Sequence, residues 1–92
     1  MAGWRKLLAR MANDPSPRNY TYDDAVRVLK GLNFKLAPPV AGSHRIWRGV
    51  APNGAPVRVG LVEAGHGSLK PYLIREMIKE LRRHDLMPPD VE

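Results

Sequence analysis

Two alternating stretches, residues 43–48 and 57–62, stand on either side of Pro52-Asn53-Gly54. Asn-Gly accepts the left-handed backbone conformations that a tight hairpin needs, so this turn ties the two stretches into an antiparallel pair. In the first stretch His44, Ile46 and Arg48 fall on one side, and Ser43, Arg45 and Trp47 on the other. In the second, Val57, Val59 and Leu61 share one face. A third strand is expected over residues 33–37, ended by Pro38-Pro39, because proline cannot donate to a ladder.

The cover for this sheet comes from segments with helical spacing. Ile74, Met77, Ile78 and Leu81 form an apolar stripe behind Pro71, a residue that costs nothing in a first helical turn. Thr21 is placed to cap an earlier helix, with Asp24 as its capping-box partner, a Tyr22–Val26–Leu29 stripe and Gly31 as the stop. Trp4, Leu7, Leu8 and Met11 predict a short amphipathic helix packed on the domain edge. The order is helix, helix, strand, strand, strand, helix. This pattern predicts an α+β fold in which a three-stranded antiparallel sheet carries two helices on one face, plus an extra short N-terminal helix. The other sheet face is left for a ligand.

A length of 92 residues argues for a single domain over 1–92, with 1–19 as an N-terminal helical extension, 20–83 as the core and 84–92 as a loose tail. The chain contains no cysteine, which excludes disulfides and thiolate metal sites. No apolar run reaches the ~20 residues of a membrane span and no secretory signal is recognisable, so the expectation is a cytoplasmic protein without membrane contact.

Charge is distributed unevenly. The net +6 of the chain equals the charge of residues 25–62, where Arg27, Lys30, Lys35, Arg45, Arg48 and Arg58 meet no acid. Such a field favours polyanions, nucleic acid first and acidic proteins second. Within it lies Gly42-Ser43-His44-Arg45-Ile46-Trp47. Imidazole is the side chain that exchanges protons near neutrality, and arginine suits phosphate oxygens. By position alone, His44 reads as a structural strand histidine. His44, His66 and His84 share no ligand spacing, so no metal or other cofactor is expected. Trp47 and Tyr72 read as packing residues, and His84 as a helix-end residue favoured by the dipole.

Three blocks in order carry a family resemblance: Tyr22 to Phe34, Gly42 to Trp47, and His66-Gly67-Ser68-Leu69-Lys70-Pro71. Together they resemble the HicA-type toxins of HicA/HicB toxin–antitoxin systems over residues 20–83. The resemblance implies a fold similar to double-stranded-RNA-binding domains (dsRBD-like) and an mRNA interferase, a metal-independent endoribonuclease that cleaves mRNA. It also implies a HicB-type antitoxin partner that covers the site, and it places the catalytic histidine at His44. Ser43, Arg45, Arg48, Arg58 and Lys70 are the candidates for binding RNA phosphates. Cleavage needs both a base and an acid, and the second group is His66, Lys70 or water. The Pro38-Pro39 loop and the strand ending Gly60-Leu61-Val62-Glu63 depart from the family pattern. These departures carry the alternative, a non-catalytic RNA-binding module on the same scaffold.

Overall fold

The computed structural model describes residues 3–39, 42–63 and 67–90. Its elements follow the order α1 (Gly3–Ala12), α2 (Tyr22–Gly31), β1 (Lys35–Leu36), β2 (His44–Val50), β3 (Pro56–Val62) and α3 (Pro71–Arg83). The strands form one antiparallel sheet in the order β1-β2-β3. The fold is therefore α+β, a three-stranded antiparallel sheet with three helices.

The hairpin closes where Asn-Gly predicts. Gly54 takes a φ of 88° and its N–H donates to the Ala51 carbonyl, while the Asn53 side chain accepts from the Ala55 N–H. Both strands run longer than the alternation alone indicated, reaching Val50 and starting at Pro56. β1 is shorter than expected, only two residues. Asn33 turns left-handed at φ 68°, which leaves Lys35 and Leu36 to pair, with the Ala37 N–H reaching the Ile46 carbonyl.

α2 is capped as its sequence indicates. The Thr21 hydroxyl accepts from the Asp24 N–H, and the Asp24 carboxylate accepts from the Thr21 N–H. Its buried side chains are Ala25, Val28 and Leu29, with Tyr22, Val26 and Leu32 partly covered. The buried arc thus lies further round the helix than the Tyr22–Val26–Leu29 stripe. The cause is α1, which packs on α2 and covers a side the sheet does not reach. Gly31 ends α2, yet the left-handed residue beyond it is Asn33. Gly31 lacks a side chain because the Trp4 ring occupies that space.

Two expectations about the chain ends are corrected. α1 is not at the domain edge: Leu8 is 0% and Met11 2% exposed within the same core as Leu29, Leu61 and Leu81. Nor is the segment after α3 loose. Leu86 donates its N–H to the Leu81 carbonyl, Pro88 is buried, and Asp90 pairs with Arg5 at 2.7 Å. Apolar residues at Leu86 and Met87 dock against the core and hold the chain down as far as residue 90.

α3 buries Ile74, Met77, Ile78 and Leu81 as its spacing predicts and packs on β3 and α1. Tyr72 is not a packing residue, since it stands 52% exposed in the first turn. Trp47 lies in the core, and its indole N–H donates to the Tyr22 hydroxyl at 3.3 Å. The helices therefore cover the sheet face formed by Trp47, Val57, Val59 and Leu61, and the opposite face remains open.

Candidate nucleic-acid interface

Register decides which side chains meet on the open face. β2 and β3 pair His44 with Val62, Ile46 with Gly60, and Arg48 with Arg58. The Glu63 N–H donates to Ser43 O, and the Ala51 N–H to Ala55 O, both at 2.8 Å. Alternation from those bonds makes Arg48 and Arg58 a non-hydrogen-bonded pair, the geometry of closest approach, with Cα atoms ~4.5 Å apart. β1 adds Lys35 directly beside Arg48. Lys35, Arg48 and Arg58 thus form one row across all three strands, about 9–10 Å from end to end.

This row has no internal compensation. Like charges directly opposite each other destabilise a sheet. Among the described residues no acid lies on this face of the strands, and none of the three cations has an ion pair or side-chain hydrogen bond. His44 stands on the same face at the start of β2, exposed and without a side-chain partner among the described residues. It lies four residues from Arg48, or ~13 Å along the strand. The Ile46–Gly60 row falls midway between them.

The remaining candidates lie elsewhere. Arg45 points to the helical side, where its Nε pairs with Glu63 at 3.0 Å and its Nη1 donates to the carbonyls of Gly42 and His44. It clamps the start of β2 and so positions the His44 backbone, with its charge already matched. Ser43 shares the Arg45 side by alternation and accepts from Glu63 through its carbonyl. Lys70 is the N-cap residue of α3 and lines a shallow groove with Arg18, Asn19, Ser68, Leu69 and Pro71, apart from the cation row. His66 falls outside the described residues. His84 caps the C-terminal end of α3, 3.9 Å from Glu80.

Of the wider basic set, Lys35 and Arg58 converge with Arg48, whereas Arg27 lies on α2 in the helical layer. Lys30 borders a groove with Lys35, Leu36 and Trp47 at the outer side of β1. Alternation within β2 was enough to put Arg48 on the His44 face. Lys35 could not be placed there without the β1–β2 register, because a two-residue strand has almost no periodicity of its own.

Chemically, the open face offers three unmatched cations for anionic oxygens and one imidazole for proton transfer. Among the described residues no three His, Asp or Glu side chains gather in a way that could hold a metal ion. No described helix is long and apolar enough to cross a membrane. Compared with protein-family models, curated proteins and solved structures, the chain matches none.

Proposed function

We propose that the open sheet face binds RNA, with phosphates on Lys35, Arg48 and Arg58, and that His44 transfers the proton in metal-independent cleavage of the strand. The observation that carries this reading is the uncompensated cation row sharing one face with an unpartnered histidine. A polyanion relieves the Arg48–Arg58 repulsion, so binding stabilises what folding alone leaves strained. In this reading the chain is a cytoplasmic, toxin-like endoribonuclease of the HicA type on a dsRBD-like scaffold. Its substrate is mRNA, and a HicB-type antitoxin neutralises it by covering the same face. The sequence resemblance supports that finer assignment.

His44→Ala tests it directly. Expression of the parent chain arrests growth and yields RNA fragments in metal-free buffer, whereas the variant does neither and still binds RNA. Cleavage undiminished in the variant removes His44 from the chemistry. A second reading, RNA binding without cleavage, draws on the departures from the family pattern at Pro38-Pro39 and Gly60-Leu61-Val62-Glu63. Salt-sensitive binding by the parent chain, with no product at high protein concentration, selects that reading.

A further inference from the structure

Glycine weakens a strand interior, so its presence there needs a reason. Most glycines in the described residues have one within the chain. A Cβ on Gly31 would collide with the Trp4 indole, and one on Gly49 would stand 2.7 Å from the Phe34 ring. Gly42, Gly54 and Gly67 hold φ values of 54°, 88° and 108°. Gly3 opens α1, where its conformational freedom costs little. Gly60 differs from all of them. It sits in the middle of β3, outside the positive-φ region, and a Cβ there would meet Ile46 Cδ1 at 3.7 Å, an ordinary contact. A side chain fits at this position, and β-branched residues would suit the strand better.

We propose that Gly60 is the seat of a nucleobase on the open sheet face. The inference rests on the RNA reading above and specifies how the strand lies. An RNA held by its phosphates on Lys35, Arg48 and Arg58 and reaching His44 has to cross the Ile46–Gly60 row, about 6.7 Å from each. That row carries no charge, and the missing side chain leaves a notch bordered by Ile46, Val62 and Arg58. The apolar sides of the notch, Ile46 and Val62, suit the flat face of a base rather than a phosphate. No aromatic ring stands among the strand residues of this face, so the base rests on aliphatic surface.

The test compares the parent chain with Gly60→Thr and Gly60→Ala in binding to oligouridylate and to inorganic polyphosphate, a polyanion without bases. Thermal denaturation accompanies each measurement. Gly60→Thr keeps or raises the melting temperature, loses about tenfold in oligouridylate affinity, toward the low end of the range for a base stacked on an aromatic ring because this seat is aliphatic, and binds polyphosphate like the parent. Gly60→Ala shows the same selectivity with a smaller loss, and it carries the test should the threonine variant fail to fold. The inference is overturned if Gly60→Thr binds oligouridylate as tightly as the parent, or if both ligands weaken equally. A parent chain that binds no RNA removes the functional reading and this inference together. A parent chain that binds RNA, with variants that match it, removes this inference alone.

Discussion

Replacing Arg58 by glutamine should move folding and binding in opposite directions. Arg58 lies directly opposite Arg48 in a non-hydrogen-bonded pair, with Lys35 on the far side of Arg48. Cross-strand pairs contribute roughly 0.2–1 kcal/mol, and for like charges the sign is unfavourable. Removing one charge while keeping most of the aliphatic stem therefore stabilises the sheet by about 0.5 kcal/mol. For a domain of this size that is an increase of about 2–4 °C in melting temperature. The gain belongs to low ionic strength and shrinks in molar salt, where the Debye length falls to about 3 Å. Arg58→Glu, which turns repulsion into attraction, gives the larger increase. The same loss of charge weakens RNA binding. In a plot of log affinity against log salt the slope becomes shallower by about 0.7, the share of one phosphate contact on a single strand. Calorimetry or circular dichroism reads the first effect, and fluorescence anisotropy over a salt series reads the second. A lower melting temperature for Arg58→Gln, or an unchanged slope, refutes the cation row as a strained polyanion site.

Two further predictions address the scaffold. Gly49→Ala drives a Cβ into the Phe34 ring and should cost about 1–3 kcal/mol, read as a fall in denaturation midpoint, although alanine ordinarily suits a backbone better than glycine. Tyr20 is buried, and burial, followed by the negative charge of Asp14, raises its phenol pKa, with Asp24 adding to the rise and Arg10 opposing it. A raised folded-state value means that the neutral phenol's stabilising share is fully present below the unfolded value of about 10 and is lost as pH rises through the folded value. Tyr20→Phe should therefore unfold at higher pH than the parent in an alkaline titration, and identical alkaline midpoints would contradict this.

How much of this was legible in the sequence follows from where each signal resides. Local signals read well: the Asn53-Gly54 turn, the Thr21–Asp24 box and the α3 stripe each depend on residues only a few positions apart. What needed the third dimension was read poorly. The role of Gly31 is set by Trp4, 27 residues earlier, and the fate of the tail by Arg5 reaching Asp90. Val28 lies off the Tyr22–Val26–Leu29 stripe, and α2 packs against α1, a contact that local spacing does not show. At the candidate site, strand alternation separated Arg48 from Arg45 correctly. It could not show that Arg45 is consumed by Glu63, nor that Lys35 completes a row with Arg48 and Arg58.

Two costs that the chain carries against its own stability fall on one surface. Several other local conflicts are resolved within the fold: rings fill the spaces above Gly31 and Gly49, Glu63 answers Arg45, and Asp90 answers Arg5. On the open face, Arg48 faces Arg58 unanswered, and Gly60 leaves unused a space that a side chain would fill. A strand-interior glycine costs roughly 0.5–1 kcal/mol. The opposed arginines cost a similar amount. For a small domain with a total stability of about 5–15 kcal/mol, both are noticeable and both are removable by one substitution. Sequences are generally consistent between local preference and fold, and lapses concentrate where function competes with stability. Two independent lapses, one electrostatic and one steric, in adjacent rows of one uncovered face are better explained by a shared ligand than by two unrelated accidents. A polyanion with flat apolar bases would relieve both.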